Sequence, residues 1–403
     1  MKRKFLAIGI AIFISAILAT GSILFLYPYE PKQPPRADDS SSTPEGLKEV
    51  ANANNQFALK LYYELAKNEG NIFYSPYSIL SALLITYEGA KNDTAEEMRD
   101  VLALPDEEII RPNFALLYNK INENDYTRTG NALWVQKDFL LFEEYKRNVE
   151  RYYGGKASNL DFSDEKSMEI INRFIEEQTN GKIKDFIKEI DPTTRLIITN
   201  AIYFKGIWKY EFNKSFTYEE DFKINQTNIV KVQMMCLKPD KFFKYAETDD
   251  LQILELPYKG EKFSMLIFLP KKESLDLNNL EEWKSMMKET MIDEIHLPKF
   301  EIETSYTLNE NLKSLGIISA FQPGKADFSG ITSEKIWIGA VIHKAYISVD
   351  EEGSEAAAAS AVIMPTSAPS KIIFKADHPF IFIIQERDTG SILFLGKIVN
   401  PTK

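Results

Sequence analysis

Between residues 52 and 66, apolar side chains return every fourth position at Phe57, Leu61 and Leu65, a spacing that predicts a helix with one buried stripe. A second helix is predicted over 77–88, burying Ile79, Leu80, Leu83, Leu84 and Tyr87. Ser75 is its expected N-cap, Pro76 its first helical residue and Gly89 its stop. Thr94-Ala95-Glu96-Glu97 has the form of a capping box and is expected to open the next helix. A further helix over about 165–179 should close at Asn180-Gly181. Then the period changes. Runs rich in β-branched and aromatic residues predict strands over 195–208, 263–269, 294–303 and 337–349. Residues 380–385 and 392–399 flank Arg387-Asp388-Thr389-Gly390 as a hairpin. Helices first and strands later, without βαβ alternation, imply an α+β class with antiparallel sheets.

One stretch contradicts its own propensities. Residues 351–369 read EEGSEAAAASAVIMPTSAP, and five alanines within six positions favour helix. Yet the stretch follows a strand pattern and runs into Pro365 and Pro369, which mark extended or turning chain. Read with period two, one face collects Ser354, Ala356, Ala358, Ser360, Val362 and Met364. The other collects Glu355, Ala357, Ala359, Ala361 and Ile363. The small residues of the first face need little room, so the segment suits a sheet interior as well as a surface. A plain small-residue linker is the competing reading.

Composition narrows the field. The 403 residues are 44% apolar and 12% aromatic, ample for a large core. A net charge of −11 argues against a broad nucleic-acid surface. Cys236 is the single cysteine, so no intrachain disulfide is possible and no Cys-based zinc site is expected. Lys2-Arg3-Lys4 precedes an uncharged, mostly apolar run over 5–29. That run exceeds the core of a typical signal peptide and approaches the roughly 20 residues that span a bilayer. Residues 1–29 are expected to be a membrane anchor, or a signal segment cut after Ala19 or Gly21, with the body exported. Residues 30–46 read as a Pro/Ser-rich linker, and 47–403 as one globular domain.

Catalytic motifs are missing. There is no Gly-x-Ser-x-Gly elbow, no His-Glu-x-x-His helix and no Gly-rich phosphate loop. His296 lies in a strand-like run with no acidic or nucleophilic partner at a diagnostic spacing, and reads as structural. His378 reads as a loop residue. Asp249-Asp250 and Glu281-Glu282 read as solvated faces. The chain is not expected to be an enzyme or to need a cofactor.

Asn71 to Ile79 (NIFYSPYSI) and Gly89 to Thr94 (GAKNDT) resemble the serpin family of protease inhibitors, as do Thr199 to Trp208 (TNAIYFKGIW) and Leu297-Pro298-Lys299-Phe300. Ala326 to Gly330 (ADFSG), the stretch 351–360, Asp377-His378-Pro379-Phe380 and Phe394-Leu395-Gly396 continue the resemblance in family order, over about 52–401. The resemblance implies the serpin fold, with three mainly antiparallel β-sheets, eight or nine helices and an exposed reactive-centre loop. It also implies suicide inhibition. A serine protease, or a cysteine protease, would attack the loop and form an acyl-enzyme. The loop would then enter the main sheet as a new strand with the protease attached, in a covalent 1:1 complex with a monomeric inhibitor.

On this resemblance Glu351, Glu352, Gly353, Ser354, Glu355, Ala356, Ala357, Ala358, Ala359 and Ser360 form the hinge. Gly353 would be its pivot. Ser75, Ser78, Asn200 and His343 would form a polar gate under the central strands, with Trp208 where the loop first enters. Residue by residue, capping and burial explain the first four equally well. Counting forward from Gly353 by the family's usual loop length puts the reactive bond at Ser367-Ala368, with Thr366 next in preference. Counting back from Pro379 lands one residue later, at Ala368-Pro369, which proline disfavours. Small residues here suit elastase- or subtilisin-like enzymes rather than trypsin-like ones. A non-inhibitory serpin, acting as a carrier or chaperone-like binding protein, is the alternative.

Overall fold

The stripe of Phe57, Leu61 and Leu65 is buried as its spacing requires, in helix α1 (Pro44–Leu65). That helix belongs to a computed structural model describing residues 36–123, 126–191, 193–239, 241–272, 276–353 and 371–403. The expected anchor over 1–29, the alanine-rich faces beyond Gly353 and the candidate reactive bonds lie outside the described residues. Among the described residues no helix is long and apolar enough to cross a membrane.

Seven more helices follow among the described residues: α2 (Pro76–Tyr87), α3 (Asn92–Leu102), α4 (Glu107–Asn122), α5 (Glu143–Tyr153), α6 (Glu165–Gln178), α7 (Leu280–Met286) and α8 (Asn309–Leu315). Every residue of α2 is buried, which is why its apolar pattern is so dense. Two sequence expectations need correction here. Thr94 does not cap a helix, because α3 already begins at Asn92 after Lys91. Its hydroxyl instead accepts from the Asp327 N–H at 3.0 Å, while Glu97 accepts from the Ile318 and Ser319 N–H groups at 2.7 and 2.6 Å. The capping-box chemistry is used, but on a distant segment. The linker also ends early. Ala37 is buried, with its N–H and carbonyl both bonded to the Asn119 amide at 2.9 Å, and the Asp38 N–H reaches the Arg151 carbonyl at 2.7 Å. These are backbone and charge contacts, which leave no apolar periodicity to read.

Among the described residues sixteen strands form three sheets. The seven-stranded sheet is antiparallel throughout, in the order β1 (Ile72–Tyr74), β16 (Ile392–Ile398), β15 (Phe380–Glu386), β9 (Phe263–Pro270), β8 (Leu251–Pro257), β7 (Phe242–Glu247) and β10 (Lys288–Met291). The four-stranded sheet runs β14 (Ile373–Lys375), β11 (Glu294–Pro298), β6 (Ile229–Leu237), β5 (Tyr218–Lys223), with only β14 and β11 parallel. The five-stranded sheet runs β12 (Phe300–Thr307), β13 (Ile338–Val349), β4 (Leu196–Phe204), β2 (Thr127–Gln136), β3 (Lys156–Leu160). The run 294–303, expected as one strand, is therefore two strands in two sheets, parted at Pro298-Lys299. Proline cannot donate into a continuing ladder, so the break falls there.

In the five-stranded sheet β13 and β4 are parallel neighbours, while their other partners, β12 and β2, lie antiparallel to them. The inner face packs on α2 and the main core. Over the outer face lies a second apolar cluster of Trp134, Ile171, Ile175, Ile183, Phe186, Ile197 and Ala201, contributed by β2, β4, α6 and the chain after it.

Candidate functional site

The β13–β4 register places His343 beside Asn200, and the β4–β2 register places Asn200 beside Asn131. Three polar residues thus lie in one row across three buried strands. Beneath the row is the start of α2, where Ser75 caps the helix by accepting from the Ser78 N–H at 3.1 Å. The Ser75 hydroxyl donates to the Leu393 carbonyl at 2.6 Å. Its N–H donates to His343 Nε2 at 3.1 Å, which fixes that nitrogen as an acceptor. The proton of the neutral ring therefore sits on Nδ1 and is donated to Asn200 Oδ1. The Asn200 amide in turn donates to the Ser78 carbonyl at 2.7 Å and reaches the Ser78 hydroxyl and Asn131. Asn131 continues to the Ser81 hydroxyl at 2.8 Å.

Burial pushes the His343 pKa down from 6.5 to about 3. The geometry explains why a charged ring has no place, since protonated Nε2 would face the Ser75 N–H. Every polar atom of the row nearest the β13–β4 seam is satisfied. Opening the seam must break the His343–Asn200 bond, and a buried group left unpaired costs about 1–3 kcal/mol.

The upper end of β13 is held differently. Beyond Tyr346 the strand has no partner in β4, and the chain between Gly206 and Phe212 closes over it. The Trp208 indole N–H donates to the Asp350 carbonyl at 2.9 Å, the Trp208 N–H to the Glu352 carbonyl at 3.2 Å, and the Phe212 N–H to the Glu351 carbonyl at 2.9 Å. Trp208 is itself held by stacking on Tyr258 at 4.5 Å. Glu351 is buried, accepting from Thr217 Oγ1 and pairing with Lys299 Nζ, both at 2.7 Å. Burial alone would raise its pKa; the Lys299 and Thr217 hydrogen bonds outweigh that and hold it below the ordinary 4.5. Glu352 pairs with Lys214. Gly353 has φ of +71°, and a Cβ there would sit 2.4 Å from the Trp208 nitrogen. Only glycine fits this exit from the strand.

Ser75, Ser78, Asn200 and His343 are thus brought together at mid-strand, and Trp208 meets Glu351, Glu352 and Gly353 at its end. The remaining hinge residues, Ser354 to Ser360, and Thr366, Ser367 and Ala368 lie outside the described residues. Glu351 is an anchored residue here, not a free hinge. Sequence reasoning missed four participants. Asn131 lies inside a mostly buried strand and Ser81 follows Ser78 by three residues, but neither carries a local signal that sets it apart. Thr217 and Lys299 reach Glu351 only through tertiary folding.

The site so built is a buried polar row at the β13–β4 pair, with the end of β13 anchored at Trp208. Residues 52–401 match the family described as Serpin (serine protease inhibitor), and the chain belongs to that family. It is 44% identical over 373 residues to an uncharacterized serpin-like protein of Thermococcus kodakarensis, covering 88% of this chain and 86% of that one. It is 35% identical over 384 residues to the leukocyte elastase inhibitor A of Rattus norvegicus, covering 88% of this chain and all of that one. The crystal structure of Serpin48 from Tenebrio molitor superposes with a TM-score of 0.78 at 32% identity, over 87% of this chain and 98% of that one.

Proposed function

We propose that this serpin inhibits serine proteases, or cysteine proteases, by trapping them through insertion of its loop into the five-stranded sheet. The observation that carries this reading is the parallel β13–β4 pair. The chain leaves β13 at Gly353, so a loop folding straight back would run antiparallel to β13 and, because β4 is parallel to β13, antiparallel to β4 as well. One parallel ladder would be replaced by two antiparallel ones, which pair slightly better per residue. The net gain is one ladder of about ten hydrogen bonds at about 1 kcal/mol each, on the order of 10 kcal/mol.

In the chemical step the protease hydroxyl or thiol attacks the Ser367 carbonyl carbon. The Ala368 nitrogen takes a proton and leaves, and the ester or thioester to Ser367 remains. Insertion competes with hydrolysis of that bond. Small inward residues at Ser354, Ala356, Ala358 and Ser360 favour insertion because they need no room to be made, and Glu355 would face outward. The row at His343 and Asn200 is the lock that keeps the seam shut until then. We assign the body to the cell exterior, held there or released by residues 1–29, with a target whose pocket accepts small side chains.

The test is incubation with an elastase- or subtilisin-like protease, followed by denaturing electrophoresis and mass spectrometry of the loop. The expected result is a stable adduct of one chain and one protease, with cleavage after Ser367. Ser354→Arg and Ala356→Arg should yield cleaved chain and free protease, because insertion would bury the charge. Adducts that form unchanged in both variants refute insertion. A wild-type chain that is only cleaved, with no gain in thermal stability, would instead fit a non-inhibitory serpin.

A further inference from the structure

In the four-stranded sheet, β6 and β11 pair so that Cys236 lies directly opposite His296. Glu294 sits two residues before His296 on the same face, and all three side chains converge. Cys236 Sγ is 4.0 Å from His296 Nε2, and Glu294 Oε2 is 3.2 Å from the same nitrogen. One ligand atom from each of the three lies within 4.8 Å of the others. Zinc holds nitrogen and oxygen at about 2.0–2.1 Å and sulfur at about 2.3 Å; at tetrahedral angles such ligands stand roughly 3.3–3.6 Å apart. The His296–Glu294 spacing already matches, and the sulfur, 4.0 Å from Nε2 and within 4.8 Å of the carboxylate, would move inward on binding.

The surroundings fit a ligand set. His296 Nδ1 is 3.2 Å from the Tyr218 hydroxyl, an outer partner that orients the ring with Nε2 turned to Cys236 and Glu294. Cys236 and His296 are buried while Glu294 is half-buried, so a fourth position would open towards solvent. Lys238 Nζ is 3.5 Å from the other Glu294 oxygen and does not occupy Oε2. We infer that Cys236, Glu294 and His296 form a site for one zinc-like divalent cation, with water as fourth ligand. This proposal departs from the expectation of no Cys-based zinc site, while the Glu294 contact at 3.2 Å corrects the reading of His296 as having no acidic partner.

On binding, the Cys236 thiol gives its proton to solvent and the cation takes the thiolate, so affinity should rise with pH. The position also matters for the fold. β14 is the first described strand after β13, and Lys375 pairs with His296 in parallel register. An ion bridging β6 and β11 would brace the strand on which β14 rests.

The test uses the full chain, stripped with a chelator and dialysed against Zn²⁺ or Co²⁺. About one equivalent of zinc should be retained, and the cobalt form should show a thiolate charge-transfer band in the near ultraviolet. Cys236→Ser should lose the band and bind at least tenfold more weakly; Glu294→Gln should keep the band with about tenfold weaker binding. Zinc should also protect Cys236 from alkylation in the native chain. Failure to retain zinc, a cobalt form without the band, or wild-type affinity in Cys236→Ser would overturn the site, leaving an ordinary hydrogen-bonded His296–Glu294 pair. None of these readouts depends on protease inhibition.

Discussion

The seven-stranded sheet and the β13–β4 seam are both buried, yet they are built from opposite materials. In the former, β9 and β15 bury every residue, the ladders are antiparallel, and Phe73 stacks on Phe382 and Phe394 at 5.9 and 5.3 Å. In the latter, a parallel ladder is crossed at mid-strand by a His–Asn–Asn row. Apolar packing is non-directional and yields gradually to small shifts. A buried hydrogen-bond row is complete in one register, so a slip of one residue leaves several groups unpaired at once. On the proposed reading, the first region holds the molecule together whichever form the loop takes. On the same reading the second is a threshold, closed while the row is intact.

The largest expected effect lies on the permanent side of the comparison. Phe382→Ala removes a fully buried ring that also packs on Phe300 at 5.6 Å, and should cost about 4 kcal/mol. Denaturant unfolding of the intact and the loop-cleaved chain should show similar losses, because the ring is seated among Phe73 and the strands of the seven-stranded sheet, and Phe300 is its contact with the other sheet. A loss confined to the intact chain would erase the distinction between the two regions.

At the seam the pattern should invert. His343→Ala leaves the Ser75 N–H and Asn200 Oδ1 without their partner, at about 3 kcal/mol for the intact chain. If a strand enters between β13 and β4, it moves them from about 4.8 Å apart to about twice that, and the direct His343–Asn200 bond no longer exists to be lost. The cleaved chain should therefore suffer much less. Equal losses in both forms would mean that the seam does not open there.

Proton linkage gives the next effect. The His343 pKa falls from 6.5 to about 3 on folding, so the unfolded chain binds a proton that the folded chain refuses. Stability is fully present above pH 6.5 and declines as the pH drops towards 3, by about 2 kcal/mol at pH 5. Unfolding midpoints between pH 7 and 5 should trace this slope in wild type. His343→Gln should flatten it; a variant with the same slope would place the titration elsewhere.

Much of this was legible in residue order, and the failures have identifiable causes. Ser75-Pro76 announced the start of α2 because capping is local chemistry, and the runs that became β4 and β13 were read because both are long and strongly apolar. The row itself has no local signature. Asn131, Asn200 and His343 are far apart in sequence and meet only through register. The same holds for Cys236 with His296. Thr94 and Glu97 misled because a capping box and a tertiary hydrogen-bond pair use the same side chains. The docking of 36–43 was invisible because backbone groups carry it.

The smallest effect separates the anchored end of β13 from its middle. Glu351→Gln keeps the shape and the Thr217 contact but loses the charge that Lys299 faces. A hydrogen bond to a charged partner contributes about 1.5–3 kcal/mol, and the 38% exposure of the Lys299 side chain discounts this to about 1 kcal/mol. Because the Glu351 pKa is depressed below 4.5 on folding, its contribution is present above that pH and disappears as the pH falls through the folded value. The stability gap between wild type and variant should thus hold constant from pH 7 to about 5 and close in stronger acid, the His343 slope being common to both chains and cancelling in the difference. Gly353, two residues on, should also exchange its amide proton faster in the variant, since Glu351 fixes the turn whose Gly353 N–H bonds the Asp350 carbonyl at 3.2 Å. A gap that stays open in acid would show that Glu351 holds the exit by shape alone, and that only the middle of the seam is guarded by charge and proton.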